Sequence, residues 1–138
     1  MADEKLIVSE TIQRYLEAYA KKDLEGCLGF IAERVPLLML GTNDDEIITE
    51  RKELLNAYQR DFSMMDNIAL GEARQCHVET GADLASMLLE LPLSYTAEGD
   101  TTKTLFRFAF TLVRENGEWK ISAGMTSVPF KSGTYSFY

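Results

Sequence analysis

Apolar residues in the first segment recur at the spacing of one helix face: Val8, Ile12, Tyr15, Leu16 and Tyr19, with Gln13, Arg14, Glu17 and Lys21 on the other side. The pattern predicts an amphipathic helix ending near Lys22. Asp23 is a good N-cap for a second, short helix over 24–32, whose inner stripe is Leu24, Cys27, Leu28 and Ile31. The apolar run Val35-Pro36-Leu37-Leu38-Met39-Leu40 reads as a buried strand, and Gly41 to Asp45 as a turn. Ile47-Ile48 suits a second short strand. Thr49 then caps a third helix reaching Met64 or Met65, with Leu54, Leu55, Tyr58 and Phe62 inward.

After Asp66 the period changes to that of strands. The stretches 67–80, 82–96, 101–115 and 118–128 are long and mostly alternating, separated by Gly81, Glu98-Gly99-Asp100 and Asn116-Gly117. Asn-Gly between two such runs is a strong hairpin signal. Strands this long and contiguous leave no room for the crossovers of a parallel sheet. The economical arrangement is an antiparallel meander covered by the helices, an α+β fold.

Composition removes several kinds of function. The 138 residues, 46% hydrophobic and 26% charged, suit a single globular domain over 1–138. A formal charge of −8 argues against nucleic acid and against an anionic membrane surface. No apolar run approaches the ~18 residues of a membrane span. The start, Met1-Ala2-Asp3-Glu4-Lys5, lacks the basic and apolar regions of a signal peptide, so the cytoplasm is the expected compartment. Two cysteines, Cys27 and Cys76, and one histidine, His77, cannot close a four-ligand zinc site, and no metal or cofactor is expected. Cys76 and His77 are adjacent, so in a strand they point to opposite faces and make no thiol–imidazole pair. Asp44-Asp45-Glu46 lacks calcium-loop spacing and reads as a solvated turn.

Three phrases carry a resemblance. Tyr15-Leu16-Glu17-Ala18-Tyr19-Ala20-Lys21-Lys22-Asp23-Leu24, the turn and helix start from Gly41 to Glu53, and Asn116-Gly117-Glu118-Trp119-Lys120-Ile121 followed by Ser127-Val128-Pro129 occur in the order and spacing of the SnoaL-like branch of the nuclear-transport-factor-2-like superfamily. The resemblance covers roughly residues 8 to 130. It implies three N-terminal helices packed on a strongly curved antiparallel sheet that encloses a cone-shaped cavity. It also implies a homodimer through the outer sheet face. Met125 stands where the branch usually carries a histidine, and Glu50 where it usually carries glycine. Gln13-Arg14-Tyr15 is similar to the first helix of the ketosteroid-isomerase members, whose tyrosine donates to the substrate oxyanion. Their general-base aspartate would fall near Met39 and their second acid within 105–113, and neither place is acidic here.

The resemblance implies a cavity lined by Tyr15, Tyr19, Met39, Tyr58, Phe62, Trp119 and Met125, mostly apolar with a few hydroxyls. Arg107 sits mid-strand among Leu105, Phe106 and Phe108, and its direction depends on the hairpin. A two-residue Asn116-Gly117 turn pairs Phe108 with Met125 and puts Arg107 opposite Trp119. A three-residue loop pairs Arg107 with Met125 and points it into the cone. The inward alternative is the expectation taken forward, with Arg107 anchoring a carboxylate or enolate and Tyr15 donating a hydrogen bond. The function expected is binding of a small apolar molecule, or isomerase- or cyclase-like chemistry on a small carbonyl compound. The rival is a non-catalytic dimerisation or protein-interaction module with a filled core. His77 is expected to face solvent or a dimer partner. The aromatic tail 130–138 is expected to pack over the cavity mouth or on a second subunit.

Overall fold

The computed structural model describes residues 3–134. Helix α1 (Glu4–Ala20) starts a turn before the apolar stripe because the Asp3 side chain accepts from the Lys5 N–H. It ends where Lys22 turns to a positive φ of 58°. Asp23 then caps α2 (Leu24–Leu28), its carboxylate accepting from the Gly26 N–H at 2.9 Å. This helix is shorter than the expected 24–32. Residues 30–32 leave it to join the sheet: Ile121 N–H donates to Phe30 O at 2.7 Å, and Ala32 N–H to Ile121 O at 2.8 Å.

Strand β1 (Leu38–Leu40) is also shorter than its apolar run, and Pro36, which has no N–H, lies in the part left out. It pairs antiparallel with β2 (Ile47–Ile48) and parallel with the last strand. Helix α3 (Arg51–Met64) is capped by Glu50 rather than Thr49. Glu50 and Glu53 form a reciprocal capping box, and the Thr49 N–H and hydroxyl also donate to Glu53.

The expected strand 67–80 is two strands, β3 (Asp66–Leu70) and β4 (Gln75–Thr80). Both pair with β5 (Leu84–Ala97), on successive parts of the same edge. The break lies opposite Pro92, which cannot donate to the ladder. Gly71 N–H still donates to Pro92 O, but a Cβ on Gly71 would sit 3.0 Å from Pro92 Cγ, which leaves little room for any other residue. β5, β6 (Asp100–Glu115) and β7 (Glu118–Ser127) form the expected meander. The β6–β7 turn is two residues, Asn116 and Gly117, both at positive φ (51° and 77°) as a type I′ hairpin requires. The sheet order is β2-β1-β7-β6-β5, with β3 and β4 at the far edge, so it curls without closing.

The inner face of the sheet carries Met87, Leu89 and Leu91 of β5, Phe110 and Leu112 of β6, and Trp119 and Ile121 of β7. Val8, Ile12, Tyr15 and Leu16 of α1, with Leu54 and Tyr58 of α3, cover it. The architecture is the expected α+β fold, with the β1–β7 pairing its one parallel ladder among the described residues. None of the described helices is long and apolar enough to cross a membrane.

Candidate functional site

Two regions of the inner face carry chemistry, one on each side of α1. On the α3 side, helical spacing brings Tyr15 and Tyr19 of α1 against Tyr58, Asp61 and Phe62 of α3. The Tyr15 and Tyr58 hydroxyls are 2.5 Å apart, and both residues are buried. Tyr19 Oη donates to Asp61 Oδ2 at 2.9 Å. Phe62 stacks on Tyr58 with ring centres 6.0 Å apart and lies 5.2 Å from Tyr19. Tyr15 meets Phe30 and Phe110 edge to face. Phe110, Phe108 and Phe106 continue as a stacked row along β6. Met39 borders this cluster: a Cβ on Gly124 would lie 3.0 Å from its Sδ and 3.2 Å from Phe110.

Burial raises the Tyr15, Tyr19 and Tyr58 phenols above their ordinary value of 10.0. They are therefore proton donors at neutral pH. Two phenols that share one hydrogen bond have two protons and use one, so the pair keeps a hydroxyl proton for a third oxygen. Burial, with Asp23 nearby, likewise pushes the Cys27 thiol up to about 12, and this thiol is inert in the core.

Three other expected lining residues lie elsewhere. Trp119 is buried, but at the far end of the sheet, where its indole N–H donates to Glu4 Oε2 at 2.9 Å beneath the Arg114 guanidinium. The Trp119 and Arg114 donors hold the Glu4 carboxyl below its ordinary value. Arg107 points outward. With the two-residue turn Arg114 pairs with Trp119 on the inner face, and Arg107, seven residues away in an unbroken strand, has the opposite parity. Its Nε donates to Glu90 Oε2 at 2.7 Å on the outer face, so it anchors nothing in the cone. Met125 is outward too, and half exposed. A bulge at Ser122 shifts the β6–β7 register by one, pairing Met125 with Ala109 and Thr126 with Phe108. His77 pairs with Leu88 on the outer face, exposed, while Cys76 pairs with Leu89 on the inner face, opposite as expected. Phe130 is exposed, and tail residues 135–138 lie outside the described residues.

On the other side of α1 lies a slot of about 600 Å³. Its helical wall is two adjacent rows of residues four apart: Ile12, Leu16 and Ala20 form the apolar row, and Ser9, Gln13, Glu17 and Lys21 the polar lip. Met87, Leu89 and Leu91 of β5 make the floor. The far wall is Ile68 and Leu70 of β3, the break at 71–73, and Cys76 of β4. Gln13 Nε2 donates to Glu17 Oε1 at 3.1 Å along the lip. This slot is what the sequence reading missed, as it missed Asp61 at the tyrosine cluster. The polar row at 9, 13, 17 and 21 was visible as the side of a helix, but the break that opens the opposite wall was not.

Among the described residues no group of His, Cys, Asp or Glu could hold a metal ion. The Asp44-Asp45-Glu46 turn is closed internally, Glu46 accepting from the Asn43 N–H and pairing with Arg60.

No curated protein matches this sequence. Solved structures match over nearly the whole chain. A ketosteroid isomerase-like protein from Erwinia carotovora superposes with a TM-score of 0.80 at 19% identity, covering 95% of this chain and 100% of that one. A nuclear-transport-factor-2-like protein of unknown function from Pseudomonas putida gives 0.77 at 16%, covering 95% and 90%. A further nuclear-transport-factor-2-like protein, from Cytophaga hutchinsonii, gives 0.75 at 16%, covering 93% and 100%. Identities this low establish the fold alone. The sequence itself is matched by the model of the SnoaL-like domain over residues 8–131, and the chain thus belongs to the SnoaL-like family.

Proposed function

We propose that this protein binds a small apolar molecule in the slot between α1 and the β3–β4–β5 end of the sheet. The observation that carries the reading is the slot itself. At about 600 Å³, with an aliphatic floor and a polar lip along α1, it has the size and lining of a small-molecule site. The fold commonly serves small-ligand binding or isomerase-like chemistry, and either use needs such a space.

Cys76 makes the reading testable. It is exposed and in the slot wall, whereas Cys27 is fully buried, so a maleimide labels native protein at Cys76. A ligand in the slot slows that labelling and raises Tm. Ala73→Trp, from an exposed position in the same wall, fills the slot and removes both effects. Tm gains that persist in Ala73→Trp without protection of Cys76 would place the ligand elsewhere and sink the reading.

A second reading rests on the hydroxyl proton left over by the Tyr15–Tyr58 pair: a carbonyl substrate reaching the α3 side would be polarised by that donor. Isomerase-like turnover lost in both Tyr15→Phe and Tyr58→Phe, with labelling of Cys76 unchanged, would favour it over the slot.

We further infer a homodimer through the outer sheet face. Leu84, Leu88 and Met125 are exposed there, and Leu88 and Met125 flank Ala109 in one row across three strands. In light scattering, Leu88→Arg yields a monomer where the parent chain is a dimer. A parent chain of monomer mass refutes the interface.

A further inference from the structure

We propose that the ligand of this slot is an aliphatic molecule whose polar head donates a hydrogen bond, an alcohol or an amine, and not an aryl compound or a carboxylate. The inference rests on the slot reading above and adds the ligand's chemical class. Two observations carry it.

The first is segregation of the apolar side chains. The core rings of Tyr15, Tyr19, Phe30, Tyr58, Phe62 and Phe110 all gather on the α3 side of α1. The slot contains none of them. Its apolar surface is Ile, Leu, Met and Ala alone. Such a surface meets a saturated chain by dispersion and area burial, and offers no ring face or edge to an aromatic ligand.

The second is the polarity of the lip. Gln13 uses one of its two amide N–H bonds to hold Glu17, so Gln13 Oε1 and the second Glu17 oxygen remain as acceptors on the lip. Glu72, in the opposite wall, is a carboxylate with no hydrogen-bond or ion-pair partner among the described residues. Lys21 is the one charged donor, so the two carboxylates leave the rim at a formal −1 in a chain at −8. A net negative rim with free carboxylate oxygens favours an ammonium or a hydroxyl and repels a carboxylate. The polar residues follow one row of α1, each four residues from the last. A chain lying on the Ile12–Leu16–Ala20 row therefore runs alongside them and brings its head to that lip.

The experiment uses three homologous series with six to ten carbons: 1-alkanols, 1-alkylamines and alkanoates, with alkylbenzenes as the aryl arm. Binding is read by calorimetry and by protection of Cys76 from maleimide. The expected result is about fourfold tighter binding per added methylene in the alcohols and amines. At equal length, both bind at least about fivefold more tightly than the carboxylate at low salt, the factor of one unscreened unit-charge contact. Gln13→Leu combined with Glu17→Leu, both exposed positions, removes that preference while chain-length dependence survives. An amine advantage over the alcohol that fades with salt marks the carboxylates as the partner. Equal binding of the two marks the neutral Gln13 acceptor, and either supports the class. Carboxylates binding as well as alcohols would overturn the head assignment and leave the slot reading standing. Preference for the aryl arm would overturn the aliphatic assignment in the same way. No protection of Cys76 by any arm would refute both.

Discussion

The Tyr15–Tyr58 contact is a buried hydrogen bond whose two halves can be removed one at a time without disturbing the rings around them. Tyr58→Phe leaves the Tyr15 hydroxyl with no partner in a site that is 5% exposed, and Tyr15→Phe does the same to Tyr58 at 4%. Stranding a buried hydroxyl costs about 1–3 kcal/mol, whereas removing both partners of a bond is close to neutral. Each single variant should therefore lose about 2 kcal/mol, and the double variant no more than either single one. An unfolding entropy near 2.1 cal/mol/K per residue gives about 0.3 kcal/mol/K for 138 residues, so each single variant melts about 7 °C lower. Ring stacking on Phe62 and the edge contacts with Phe30 and Phe110 are unchanged in all three variants, which isolates the hydroxyls.

Urea unfolding of the four proteins, followed by circular dichroism, measures the cycle. A coupling energy of about 2 kcal/mol or more, with equal m-values, is expected. Single losses below about 0.5 kcal/mol would mean water reaches the stranded hydroxyl, and the site would not be the closed core the distances describe. A double-variant loss equal to the sum of the singles would refute the bond itself.

Three further outcomes follow from the same geometry. The raised phenols of Tyr15, Tyr19 and Tyr58 and the Cys27 thiol favour the protonated, folded state. Stability is therefore intact below their ordinary values of 9.0 and 10.0 and falls as pH rises beyond them, so absorbance at 295 nm should show these tyrosines ionising together with unfolding. The Glu4 carboxyl has the opposite sign. Its lowered pKa contributes stability above the ordinary 4.5 that is lost as pH falls through the folded value, so Glu4→Gln should melt lower at pH 7 and the difference from the parent should shrink as pH falls below 4.5. Leu112→Ala, at a fully buried position on the inner face, should cost about 2–5 kcal/mol in urea titrations, since the surrounding core collapses only in part.

The helices and meander were legible because their periodicities are local, and so was the Asn116-Gly117 turn. What was not legible shows how far such local information travels. Strand parity propagates from a turn only as far as the first bulge. β6 is unbroken between Arg114 and Arg107, so the two-residue turn decides the direction of Arg107, and only the choice of turn length was open in the sequence. Met125 was beyond reach by the same logic, because the Ser122 bulge lies between it and the turn. Ser122-Ala123-Gly124 has small side chains, but smallness permits a bulge without requiring one. The slot lies one step further away still. Its open wall depends on Gly71 facing Pro92, a pairing that links residues on two different strands and leaves no periodic trace in either. Gly71 reads from sequence as a flaw in a strand and Pro92 as another. Only their mutual register makes them a single break, and that break, set against the polar row of α1, opens the space that the aromatic residues, packed on the far side of the helix, do not supply.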